Sequence, residues 1–190
     1  MEYKIKPIPT LYAGLTFRSR LEATWAAFFD NLGWTWRYEP FDLDGWVPDF
    51  EIQTSIKERL LVEVKPIDLT KINRNKIEET PYKKTINHLG YFNVLLLGIS
   101  PVVFGNHCCA GLFLEGEGRN RCHEGWSKKY RYASDFAAFK NQGDGLSPSY
   151  GVWECWLTNQ DSYKNFVYED EKGHIEYLFN DAISKTTRGW

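Results

Sequence analysis

The chain is poor in sulfur: one methionine, Met1, and four cysteines, Cys108, Cys109, Cys122 and Cys155, in 190 residues. In a reducing compartment such cysteines stay as thiols, so a disulfide-stapled scaffold is not expected. No stretch approaches the roughly 18 consecutive apolar residues of a membrane-spanning helix. The opening "MEYKIKPIPT" lacks the apolar h-region of a secretory leader. A soluble, cytoplasmic protein with no membrane partner is therefore expected. There is no internal repeat, no low-complexity tract and no Gly/Ser linker. Charge of one sign is missing too. Lys and Arg number 23 against 25 Asp and Glu, a net charge of −2. That balance excludes a protein that coats nucleic acid by bulk charge, but not one with a local basic groove.

What is present is apolar mass. Hydrophobic residues make up 43% of the chain and aromatics 16%, enough to pack the core of one substantial domain. The basic residues are also unevenly placed. Lys57 to Lys84 holds eight Lys or Arg against five acids, and Arg119 to Arg131 holds five against Glu124 alone. The acidic run "YEDEKGHIE" near the C-terminus offsets them.

Periodicity predicts a helix from about Thr16 to Asn31, with Leu21, Trp25, Phe28, Phe29 and Leu32 as its core stripe and Gly33 just past its end. "WTWRYEP" predicts a strand stopped by Pro40. "GWVPDFEIQ" and "RLLVEVKPI" predict an antiparallel hairpin. In its second strand, Leu61, Glu63 and Lys65 share one face and Leu60, Val62 and Val64 the other. "ETPYKKTINHLG" predicts a helix with Thr80 as N-cap, Pro81 at its first position and Gly90 beyond its end. "NVLLLGIS" predicts a strand covered on both faces. Beyond Pro101, "GLFLE", "GVWECWL", "NFVYE" and "HIEYLF" are strand-like, and "SDFAAFK" is helix-like. Residues 1–100 therefore form the core, and 101–190 a β-rich elaboration packed on it that is not an independent domain.

Within the core, carboxylates stand where burial makes them costly. Asp49 lies between Pro48 and Phe50, and Glu63 between Val62 and Val64. A buried carboxylate needs a metal, a cation or hydrogen bonds. Lys65 shares the face of Glu63 and can supply the cation. Taken singly, each residue has an ordinary explanation: a cross-strand salt bridge for Glu63 and Lys65, a turn for Asp49. Ser19-x-x-Glu22 fits a capping box, but a helix beginning near Thr16 would put Glu22 inside it, beside the apolar stripe. The set together outweighs these single explanations, and its hard oxygens are of the kind Mg²⁺ takes, one or two carboxylates plus water and phosphate oxygens.

Glu22, "PDF" at 48–50 and "EVK" at 63–65, in that order, resemble the PD-(D/E)XK nuclease superfamily. "FRSRLE", "WRYEP", "PDF" and "VEVK" are similar in order and spacing to segments of phage and bacterial nucleases, the phage endonuclease I-type resolvases among them. The resemblance spans roughly Phe17 to Ser100. It implies a restriction-endonuclease-like αβββαβ core with a mixed central sheet. It further implies that Asp49, Glu63 and the Val64 carbonyl bind Mg²⁺ or Mn²⁺, that Glu22 adds a carboxylate, and that Lys65 serves the nucleophilic water. The activity implied is metal-dependent hydrolysis of DNA by an endonuclease of phage or mobile-element type, acting in the bacterial host cell if phage-encoded. The chain departs from the resolvases in its overall charge and in its C-terminal 90 residues.

Arg18 and Arg20 flank the first helix start, where phosphate is favoured, and Lys83 and Lys84 open the second helix; these four are the expected nucleic-acid contacts. Only one of the two lysines need point inward, and Lys84 is more readily assigned to a plain polar face. Lys71, Arg74 and Lys76 could follow a phosphate backbone. Trp34, Trp36 and Trp46 are expected in core or rim packing. A structural Zn²⁺ at His107, Cys109, Cys122 and His123 competes with buried reduced thiols. The adjacent "CC" and "CH" pairs favour thiols, because neighbours on a strand face opposite ways. RNA as substrate, a homodimer and a partner protein stay open. The competing reading is a nucleic-acid-binding or assembly module on the same fold, inactive alone.

Overall fold

A computed structural model describes residues 6–53, 59–89, 91–104, 107–116, 132–138, 152–153 and 171–187. The chain opens with a ribbon of β1 (Thr10–Tyr12) and β2 (Leu15–Phe17), paired antiparallel. Ala13 and Gly14 both take positive φ between them, the backbone of a type I′ hairpin turn. Helix α1 (Arg20–Asn31) follows, then β3 (Thr35–Tyr38), β4 (Phe50–Gln53) and β5 (Arg59–Val64). Three 3-10 segments, Leu69–Lys71, Arg74–Glu79 and Lys83–His88, lead to β6 (Val94–Leu97). Then come β7 (Val102–Phe104), β8 (His107–Gly116), β9 (Tyr132–Ala138), β10 (Val152–Trp153) and α2 (Glu171–Thr187).

The protein is mixed α/β, built on one mixed sheet in the order β10-β9-β8-β6-β5-β4-β3, with β7 also on β8. The expected hairpin is there: β4 pairs antiparallel with β5, Phe50 opposite Val62. β3 adds antiparallel to β4, and β6 lies parallel to β5. Beyond Pro101, β8 pairs antiparallel with β6 and so extends the same sheet. Gly111 permits that pairing, since a Cβ there would lie 2.1 Å from the Leu96 carbonyl oxygen.

Period-2 alternation divides the core in two. Phe50, Ile52, Leu60, Val62 and Val64 pack with Trp25, Phe28 and Phe29 of α1. Leu61, Val94 and Leu96 pack on the other face with Trp46, Leu69, Ile77, Tyr82 and Leu89. Trp25, Phe28 and Phe29 are fully buried, whereas Leu21 and Leu32 are only partly so. Gly33 ends α1 with φ +69, its N–H on the Asp30 carbonyl and the Trp34 N–H on that of Phe29, a Schellman close.

Four expectations change. The helix begins at Arg20, not Thr16, because Leu15–Phe17 is drawn into the ribbon and Ser19 is the N-cap. The "ETPYKKTINHLG" segment forms 3-10 turns and no α-helix; Thr80 accepts from the Tyr82 N–H instead of capping a helix. "HIEYLF" lies inside α2 rather than in a strand. Ile175, Phe179 and Ala182 make a buried stripe at helical spacing, and Phe179 packs 5.0 Å from Trp25 between ring centres. "SDFAAFK" falls largely in β9, whose pairing with β8 overrides its helical composition. "GLFLE" lies in β8, and Val152–Trp153 of "GVWECWL" forms β10. "NFVYE" lies outside the described residues.

Candidate functional site

The site forms where α1 begins, β4 begins and β5 ends. Ser19 caps the helix: the Glu22 N–H donates to its Oγ at 3.2 Å, and that hydroxyl donates to Glu22 Oε1 at 2.9 Å. The reciprocal pair is a side-chain variant of the capping box. Capping thus accounts for one oxygen of Glu22. The other, Oε2, accepts from the Tyr38 hydroxyl at 2.6 Å. Tyr38 in turn accepts from the Arg18 N–H at 3.0 Å. Burial and the bond to Glu22 push the Tyr38 phenol above its ordinary pKa.

Arg18 ties this corner to β4. Its Nη2 lies 2.6 Å from Asp49 Oδ1, and its Nε lies 2.9 Å from Glu39 Oε1 and 3.9 Å from Glu22 Oε2. Glu22 therefore joins Asp49 through Arg18. Glu39 sits at φ +44, a strained backbone for a residue other than glycine. Its N–H donates to the Asp49 carbonyl at 3.0 Å.

Asp49 Oδ2 accepts from the Val64 N–H at 2.7 Å. Glu63 is fully buried, and three groups answer its charge or its lone pairs. The Trp46 indole Nε1 donates to Oε2 at 2.6 Å, Lys84 Nζ lies 3.1 Å from Oε1, and Lys65 pairs with the same Oε1. Lys65 Nζ also donates to the Val64 carbonyl at 3.0 Å and lies 3.9 Å from Asp49 Oδ2. An unpaired ion here would cost several kcal/mol, which these bonds offset. Asp49 does not escape its surroundings: burial first, then the Glu63 charge, raise its pKa to about 7, against the pull of Lys65 and the Val64 N–H.

Two carboxylates and one main-chain carbonyl thus face the Lys65 ammonium, with Lys84 also on Glu63. Among the described residues, no three His, Cys, Asp or Glu side chains group as a metal site. The donor set at Lys65 is nevertheless all hard oxygen and suits Mg²⁺ or Mn²⁺ chemically: Asp49, Glu63 and the Val64 carbonyl. Glu22 stands one Arg18 away from it.

The expected nucleic-acid contacts divide. Arg18 is engaged with Asp49 and Glu39, while Arg20 and Lys83 are exposed. Lys84, not Lys83, is the lysine at the site. Lys71 pairs with Asp68 and Lys76 with Glu79. Trp34 is buried against Phe29, and Trp36 donates to Asp30 Oδ1 at 2.8 Å. Cys109 is buried; Cys122 and His123 lie outside the described residues. Sequence reasoning missed Tyr38 and the Trp46 hydrogen bond. The only signal for the first was its place in "WRYEP", two residues after Trp36 on one strand. Compared with protein-family models, curated proteins and solved structures, the chain matches none. Among the described residues, no helix is long and apolar enough to cross a membrane.

Proposed function

We propose that the chain is a Mg²⁺- or Mn²⁺-dependent nuclease that hydrolyses phosphodiester bonds in DNA, an endonuclease of phage or mobile-element type. The observation that carries the reading is the convergence of Glu63, the Val64 carbonyl and Asp49 on the Lys65 ammonium. Such a point favours a cation, and its oxygens are those the PD-(D/E)XK resemblance assigns to metal. The fold reading that accompanies it is a restriction-endonuclease-like core. It is supported by α1, the antiparallel β3, β4 and β5, and the crossover to parallel β6, with 3-10 turns in place of the family's second helix.

A divalent ion held by Asp49, Glu63 and the Val64 carbonyl would acidify its bound water and neutralise phosphoryl charge. The chain's own groups do the rest. Trp46 fixes the Glu63 carboxylate, and Arg18 and the Val64 N–H fix that of Asp49. Lys65 can move a proton to or from the attacking water at its Nζ, or steady the charge that develops on phosphate. Glu22, held by Ser19 and Tyr38, keeps Arg18 in place.

One observation favours the alternative of an assembly or binding module. Every carboxylate oxygen of Asp49 and Glu63 already has a partner within the chain. Incubation with plasmid, single-stranded and branched DNA and with RNA, in Mg²⁺, Mn²⁺ or EDTA, separates the two. Metal-dependent cleavage that disappears in Asp49→Asn and Lys65→Ala is the expected result. Metal-independent binding without cleavage of any substrate would establish the module and end the nuclease reading.

A further inference from the structure

On the sheet face turned away from α1, the outer three strands carry a second charged cluster. Arg37 of β3 lies opposite Glu51 of β4, and one rung further Thr35, Gln53 and Arg59 stand in line across β3, β4 and β5. Directly paired residues share a face, so all five side chains project to the same side. Glu51 is buried. Arg37 donates to its Oε2 through Nε at 2.7 Å and through Nη2, and Arg59 Nη2 pairs with its Oε1. The two arginine side chains are 61% and 64% exposed, against 10% for that of Glu51.

The arrangement is unbalanced in a specific way. Among the described residues, one carboxylate answers two guanidiniums, which leaves one positive charge. Each guanidinium has five N–H donors in a fixed fork, and the bonds to Glu51 use two on Arg37 and one on Arg59. Both arginines line an open depression of about 350 Å³, together with Thr35, Gln53 and Glu51. Glu51 thus serves as a brace. It holds two long side chains in one orientation and removes part of the rotamer entropy that a ligand would otherwise have to offset.

We infer that this cluster is a phosphate seat, and that its ligand is a backbone phosphodiester of the nucleic acid that the proposed nuclease site receives. The inference rests on that reading for the identity of the ligand. Arg59 and Glu63 lie four residues apart on β5 and on one face, roughly 13 Å at 3.3 Å per residue. That is about four base-pair steps along the axis of a duplex at 3.4 Å each, within the span of one bound nucleic acid. Phosphate contacts of this kind set register and carry no sequence preference.

The test separates binding from cleavage. Fluorescence anisotropy with labelled single-stranded and duplex oligonucleotides, in EDTA and over a salt series, compares the wild-type chain with the Arg37→Gln/Arg59→Gln double variant. Removing two phosphate contacts should weaken binding alike for different sequences and lower the salt slope by about two units. An unchanged slope, or a wild-type chain that binds no nucleic acid, overturns the seat. Phenylglyoxal modification of the wild-type protein, read by mass spectrometry, needs no variant to fold. Bound oligonucleotide should protect Arg37 and Arg59, and equal modification with and without it overturns the proposal. Arginine-dependent binding without metal-dependent cleavage would sink the nuclease reading and leave the seat. Cleavage with arginine-independent binding would do the reverse.

Discussion

Trp46→Phe removes one N–H from the most deeply buried carboxylate in the described protein. The indole donates to Glu63 Oε2 at 2.6 Å, and Glu63 has no exposure through which water could replace it. A hydrogen bond to a charged group contributes about 1.5–3 kcal/mol, and orphaning a buried acceptor puts the loss in the upper part of that range. We expect destabilisation by about 2–3 kcal/mol, a Tm drop of about 4–12 °C for a chain of this size. The smaller ring also leaves a void, so the single variant alone does not isolate the bond. A double-mutant cycle with Glu63→Leu does, because the void is common to both backgrounds while the acceptor is present in only one. Urea unfolding in EDTA, followed by far-ultraviolet circular dichroism, gives the four free energies. A coupling of about 1.5 kcal/mol or more is expected. A coupling below about 0.5 kcal/mol, within ordinary additivity error, would refute the view that Trp46 holds Glu63 by this bond.

Two further outcomes follow from the same corner. The Asp49 pKa is raised from 3.8 to about 7, so the folded chain holds a proton that the unfolded chain releases. The stability this contributes is fully present below about pH 4 and is lost as pH rises through 7. Thermal melts of Asp49→Asn should lack that decline, and an identical pH profile would refute the assignment. Ser19→Ala removes the α1 cap and should cost about 1 kcal/mol, measured by urea unfolding; a loss below about 0.3 kcal/mol would mean that solvent replaces the hydroxyl without penalty.

The part of the fold legible in the sequence was the part governed by local alternation. "VPDFEIQ" and "RLLVEVK" show which residues share a face, and the β4–β5 hairpin obeys that pattern, Glu63 with Leu61 and apart from Val62 and Val64. Long-range pairing was not legible. Leu15 and Phe17 fit a helix start as well as a strand until Tyr12 and Thr10 are known to lie beside them. "HIEYLF" alternates over six residues, but over 17 its apolar residues follow the helical period that packs Ile175 and Phe179 onto α1. The site was legible to the extent that buried carboxylates announce themselves in apolar surroundings. Their partners were hidden, because Tyr38 and Trp46 look like packing residues until the hydroxyl and the indole N–H are seen to point at Glu22 and Glu63. Of the expected pair Lys83 and Lys84, the pattern "PYKKTINH" did not show which one reaches Glu63.

Among the described residues, the corner around Asp49 contains four carboxylates, Glu22, Glu39, Asp49 and Glu63, and three cations, Arg18, Lys65 and Lys84. It is close to neutral without any added ion, and it becomes neutral when Asp49 takes a proton. Occupancy by the divalent cation proposed above would therefore be an exchange, in which Lys65 would leave Glu63 and the Val64 carbonyl and Asp49 would lose any proton it holds. An exchange that releases a proton and an ammonium is governed by acidity as much as by ion concentration. Folding, by contrast, would be left independent of that ion, because the chain supplies its own counter-charge.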